Sequence, residues 1–297
     1  MKRIIFAPGK NIKPPEAEHK QQLLRCLLHA VGRLDASVAR DIEAIDAFNL
    51  IPWNYMFYSE YRDINNDIPW VDRLLAIDTP DSADISGARP LSYRVAKFMY
   101  LLGDIMPWLI PLIPDQRVKI SIRDTERYFA NRDNIACRIR ECLKSRLREA
   151  HGKNDRILLI GHSMGSVIAF DALWELDHLE SIHQCVDCFL TIGSPLGMNY
   201  VQRRLINHEN HHPDPYPGNI HKWINVSARG DLVALDPAIA NDFDNMVKQH
   251  YIDSIEDRVK GVYNFYRDEK GLNVHKSYGY LANPVVARII IDWWKSA

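Results

Sequence analysis

Arg156-Ile157-Leu158-Leu159-Ile160-Gly161-His162-Ser163-Met164-Gly165-Ser166-Val167-Ile168-Ala169-Phe170 is the stretch on which the reading of this chain turns. Ile157–Ile160 is a short, unbroken apolar run, the pattern of a strand buried on both faces. Ser166–Leu173 is small and apolar and reads as a helix. Between them lies Gly161-His162-Ser163-Met164-Gly165, a G-x-S-x-G sequence. A strand, this pentapeptide and a helix in succession have the signature of a nucleophile elbow, a strained turn that lifts the Ser163 hydroxyl above the sheet. Its glycines leave room where neighbouring backbone approaches too closely for a side chain. The pentapeptide alone occurs by chance. Its setting gives it weight.

Working outward from this turn, Lys2–Ala7 reads as a buried first strand ending in a Pro8-Gly9-Lys10-Asn11 turn. Glu16–Leu34 carries Leu23, Leu24, Leu27, Leu28 and Val31 at helical spacing, and Pro14-Pro15 suit its start. Leu50–Tyr58 reads as a second strand with Pro52 against a central ladder position. Arg132–Glu149 is a basic amphipathic helix leading into the elbow strand. Val186–Ile192, Trp223–Val226 and Gly261–Phe265 read as further strands, and Pro284–Lys295 as a terminal helix. Strands alternating with helices predict an α/β fold, a mainly parallel sheet covered on both faces. Residues 59 to about 131 fit no alternation and read as an insertion in a single domain spanning 1–297.

The composition sets bounds. The chain has 297 residues, is 46% hydrophobic and carries a formal net charge of −1, which gives no reason to expect a nucleic-acid partner. Five cysteines without regular spacing argue against a disulfide framework and for a reducing compartment. Only a few apolar residues precede Pro8, too few for the apolar region of a signal peptide. A cytoplasmic location is the expectation.

A serine hydroxyl at neutral pH needs a base, and the base needs an orienting acid. With a strand–elbow–helix nucleophile these follow in the order serine, acid, histidine, each on a loop after a strand. Trp223–Val226 followed by Ser227-Ala228-Arg229-Gly230 delivers Asp231, with Asp236 as the alternative acid. His275 follows Gly261–Phe265 and a polar loop. His250, the other histidine beyond Asp231, precedes that segment. The developing oxyanion needs backbone donors: Met164 after the nucleophile, and an amide of the turn after the first strand, Lys10 first and Gly9 next.

Taken together, these segments resemble the α/β-hydrolase superfamily, in particular its lipase- and esterase-like members. The resemblance rests on Ile4–Lys10, Gly161–Gly165, Thr191–Gly197, Trp223–Val233 and His275–Pro284. It implies a mainly parallel sheet of about six strands and acyl-ester hydrolysis through an acyl-enzyme on Ser163, Asp231 and His275, with no metal or organic cofactor. Two features depart from the pattern. The usual first hairpin is absent, and Pro8 stands where many relatives have histidine.

Residues 95–113 are strongly apolar but broken by Lys97, Asp104, Pro107 and Pro111, which argues against a membrane-spanning helix. They fit a buried cap, a lid or wall for an apolar acyl group with Trp70, Trp108 and Tyr100 as candidate lining, or a peripheral membrane or oligomer contact. The substrate class this favours is a small-molecule or lipid-like ester, thioesters included. His208-Glu209-Asn210-His211-His212 matches the H-E-x-x-H zinc signature, but Pro213, Pro215 and Pro217 follow at once and no third ligand is evident. A zinc-dependent hydrolase on His208, Glu209 and His212 is therefore one alternative, and a non-catalytic hydrolase-like binding protein another. Cys185-Val186-Asp187-Cys188 is a lone C-x-x-C and reads as small strand residues.

Overall fold

The computed structural model describes residues 1–77, 116–183, 185–206, 213–234 and 236–296. In chain order its main elements are β1 (Lys2–Ala7), α1 (Glu16–Leu34), α2 (Ala36–Ala44), β2 (Phe48–Leu50), α3 (Trp53–Tyr58), α4 (Ile68–Leu75) and α5 (Gln116–Phe129). There follow α6 (Ile135–Gly152), β3 (Arg156–His162), α7 (Met164–His178), β4 (Val186–Ile192), β5 (Ile220–Val226), β6 (Ser254–Arg258), α8 (Ser277–Leu281) and α9 (Pro284–Lys295). Six strands form one sheet in the order β2-β1-β3-β4-β5-β6, and every neighbouring pair is parallel.

Alternation along the central strands explains why both faces are covered. Ile157 and Leu159 of β3 join Phe189 and Trp223 in an apolar cluster with α6 and α7. Leu158 and Ile160 join Leu190 and Ile224 in a second cluster with α1 and α9. The period of two sends successive side chains to opposite faces, so a continuous apolar run is what a doubly covered strand requires. Helix α7 is buried on nearly all sides, which accounts for its lack of a polar face.

Several sequence expectations need correction. Leu50–Tyr58 is not a strand: β2 ends at Leu50, and Trp53–Tyr58 is helical. Pro52 has no N–H for a ladder, and Trp53, Asn54 and Phe57 bury a helical face, so packing overrides the β propensity of the aromatics. Gly261–Phe265 is irregular, and the sixth strand is instead Ser254–Arg258, paired with β5. As an edge strand it is only partly buried and carries Glu256, Asp257 and Arg258, so its sequence lacks the apolar signal of an inner strand. Strand β5 begins at Ile220, earlier than Trp223, and α7 runs on to His178, beyond Leu173. The basic helix starts at Ile135 behind a 3₁₀ turn, Arg132–Asn134. Of the predicted insertion at about 59–131, α4 and α5 are described. The apolar stretch 95–113, with Tyr100 and Trp108, lies outside the described residues. Trp70 sits on α4, partly buried, with the Arg73 guanidinium 4.8 Å from its ring centre.

The strand order places the site. From β1 the chain moves outward to β2, then returns to β3 on the other side and continues to β6. Loops leaving the carboxyl ends of β1 and β3 therefore diverge, opening a crevice where ligands of open α/β sheets bind. The turn after β1 and Ser163 after β3 flank that crevice. Among the described residues no helix is long and apolar enough to cross a membrane.

Candidate active site

Ser163 sits between β3 and α7 with φ 53° and ψ −126°, a backbone conformation that L-residues rarely adopt. Its neighbours show what enforces this. A Cβ on Gly161 would lie 2.6 Å from Ser166 Cα, and one on Gly165 would lie 2.1 Å from the carbonyl oxygen of Ala7. Both glycines are thus fixed by close approach, and the Gly165 contact is with the end of β1 itself.

His275 Nε2 lies 2.9 Å from Ser163 Oγ, and His275 Nδ1 lies 2.8 Å from Asp231 Oδ2. With a carboxylate as partner, Nδ1 carries the proton and donates it, leaving Nε2 to accept from the serine hydroxyl. The Asp231 side chain is fully buried. Burial alone would raise its pKa, but the His275 imidazole, the Tyr280 hydroxyl and the Val233 amide together hold it below the ordinary carboxylate value. It is therefore ionised at neutral pH. The alternative acid, Asp236, accepts instead from the Ala238 amide at 3.0 Å as a turn residue. His250 is exposed, in a left-handed turn with φ 60°.

The turn after β1 passes against the serine. A Cβ on Gly9 would meet Ser163 Cβ at 2.9 Å and His162 Nδ1 at 2.8 Å. The amides of Gly9 and Lys10 therefore belong to a segment in contact with Ser163, and the Met164 amide opens α7 directly after it. Lys10 Nζ donates to Thr125 Oγ1 of α5 at 3.1 Å, and burial lowers its pKa to about 8.

Four further residues hold this arrangement, and none carries a sequence signal for the task. The indole of Trp53 donates to the Pro8 carbonyl at 2.8 Å, and Asn54 Nδ2 donates to the carbonyls of Gly9 and Asn11 at 2.9 and 3.0 Å. Helix α3 thus clamps the turn after β1. His162 Nε2 donates to the His275 carbonyl at 2.8 Å, and burial keeps this imidazole well below its ordinary pKa, hence neutral. The Tyr280 hydroxyl donates to Asp231 Oδ2 at 2.7 Å and accepts from the Ala228 amide at 2.9 Å. Tyr280→Phe leaves the Ala228 N–H buried without its acceptor, so a stability loss of about 1–3 kcal/mol is expected in urea titration.

His208, Glu209 and His212 lie outside the described residues. Among the described residues no three His, Cys, Asp or Glu side chains gather as a metal site. Cys188 lies within β4 and Cys185 just before it. Both are buried free thiols, pushed up to about 12 by that burial. Compared with family models, curated proteins and solved structures, the chain matches none.

Proposed function

We propose that this chain is a serine ester hydrolase of the α/β-hydrolase, esterase- and lipase-like kind, working through an acyl-enzyme. The observation that carries this reading is the continuous line from Ser163 Oγ through both ring nitrogens of His275 to Asp231. In the first step Ser163 Oγ bonds to the ester carbonyl carbon while His275 Nε2 takes the hydroxyl proton. Asp231 holds the tautomer and stabilises the imidazolium that forms. The carbonyl oxygen becomes an oxyanion facing the amides of Met164 and of Lys10 or Gly9. Collapse breaks the bond to the alcohol, which leaves with the proton from His275. Water then attacks the acyl-enzyme and gives a proton to His275. The acid departs and Ser163 Oγ recovers its hydrogen.

The six-stranded parallel sheet, with the serine at the point where strand order reverses, supports this reading. The apolar composition of 95–113 favours acyl esters with apolar chains, and thioesters fall within the same chemistry. A fluorophosphonate probe tests the assignment. The expected result is one covalent adduct, on Ser163, in folded protein, and none after denaturation or in Ser163→Ala. Folded protein that gives no adduct rejects the reading.

A further inference from the structure

One oxygen of the buried acid carries two bonds. Asp231 Oδ2 accepts from His275 Nδ1 at 2.8 Å and from the Tyr280 hydroxyl at 2.7 Å. The other oxygen, Oδ1, faces backbone and accepts from the Val233 amide at 2.9 Å and the Ala234 amide at 3.4 Å. Those two amides are the bonds by which an aspartate holds a turn. Tyr280 acts elsewhere, on the oxygen that meets the imidazole.

The direction of the Tyr280 bond is fixed by its partners. The Ala228 amide can only donate, and it does so to the Tyr280 hydroxyl oxygen at 2.9 Å. An ionised Asp231 can only accept, so the phenolic hydrogen lies on the line to Oδ2. Tyr280 is fully buried, and that burial, with the Asp231 charge beside it, raises its pKa well above the ordinary tyrosine value. The hydrogen therefore stays in place at neutral and acid pH.

The surroundings are built to this pair. Gly193, in the turn after β4, has φ 56°, and a Cβ on it would fall 2.8 Å from Asp231 Oδ2 and 3.0 Å from Tyr280 Cε2. Glycine alone suits both that backbone and that space. The His162 ring, kept neutral by burial, lies 4.9 Å from the His275 ring and 6.0 Å from the Tyr280 ring, centre to centre. Lys276, next in the chain, has its ammonium on Asp67 at 3.1 Å.

We infer that Tyr280 is a positioning residue of the proposed hydrolysis: its hydroxyl, anchored on Ala228, takes up part of the Asp231 charge and so sets how far into acid His275 still accepts from Ser163. This deepens the hydrolase reading and rests on it. An oxygen that already receives a short O–H bond has less charge to offer the ring, and the phenolic dipole turns its positive end toward the imidazole. Both effects disfavour the imidazolium. A protonated ring cannot take the serine proton, so the acid limb of kcat/KM reports the balance.

The test measures kcat/KM for 4-nitrophenyl butyrate against pH in the parent, in Tyr280→Phe and in protein carrying 3-fluorotyrosine at position 280. Loss of the hydroxyl is expected to move the acid limb to higher pH by about half a pH unit, or about threefold in the proton equilibrium, a fraction of one hydrogen bond to a charged group. Fluorotyrosine, a more acidic phenol of nearly the same shape, donates more strongly and is expected to move the limb to lower pH. A side chain that only anchors α8 would lower the rate at every pH and leave the limb in place. A limb unmoved in Tyr280→Phe overturns the inference, and the fluorotyrosine protein decides in the same way if that variant fails to fold. The bond is also read without turnover. In Ser163→Ala the proton on His275 Nδ1 gives a low-field NMR line, expected further downfield once Tyr280→Phe is added, because Oδ2 then accepts from the ring alone. If the parent cleaves no ester and takes no fluorophosphonate, the hydrolase reading fails while this line still decides the role of Tyr280. An unmoved line rejects it.

Discussion

Ser163→Ala is expected to lower ester turnover by about 10⁴-fold or more, with the protein still folded. The substitution removes only Oγ, which bonds to His275 Nε2, and leaves the glycines that fix the turn in place. Melting monitored by circular dichroism should therefore barely change while hydrolysis of a 4-nitrophenyl ester collapses. What rate remains would come from the amides around the oxyanion position. Asp231→Asn should be almost as damaging, about 10⁴-fold. A carboxamide can turn its NH₂ toward His275 Nδ1, forcing the ring proton onto Nε2, where it can no longer accept from the serine. A Ser163→Ala protein that hydrolyses esters at the parent rate would mean the line of hydrogen bonds serves another purpose.

Gly165→Ala should have a large effect on folding. Its added methyl would fall 2.1 Å from the Ala7 carbonyl oxygen and 2.6 Å from that of Pro8. Neither can yield cheaply: both belong to the end of β1 and the turn clamped by α3. Moving this backbone is expected to cost about 3 kcal/mol or more, read from the midpoint of a urea titration. Gly152→Ala makes the contrast, because a Cβ there meets nothing within 4 Å and the residue ends helix α6. Its expected change is within about 0.5 kcal/mol of zero or mildly stabilising. Equal midpoints for the two variants would show that the close packing of the elbow against β1 has no energetic weight.

How much of this could be read from the residues depended on where each signal resides. The β3–turn–α7 segment was legible because its constraints are local: a doubly buried strand, two glycines and an apolar helix lie next to one another. Asp231 followed from its place after β5. Order along the chain alone points to His275 as the candidate histidine, although the strand expected before it, Gly261–Phe265, is irregular and the sixth strand ends at Arg258. An edge strand rich in charge gives up the apolar run by which inner strands announce themselves. Trp53–Tyr58 misled for the opposite reason, because aromatic residues that favour strands on average are packed here as one face of a helix. Trp53, Asn54, His162 and Tyr280 were silent, since each acts through a partner distant in sequence.

The grip of α3 on the segment from Pro8 to Asn11 bears on how the site meets its ligand. Loops that receive developing negative charge often have to freeze when the substrate arrives, and that ordering weakens the transition state's hold. Here two side chains from one short helix hold three backbone carbonyls, those of Pro8, Gly9 and Asn11, so under the proposed function the donors of this segment would be fixed before the substrate arrives. Association should then proceed as docking into a standing mould, with little slow rearrangement between encounter and reaction.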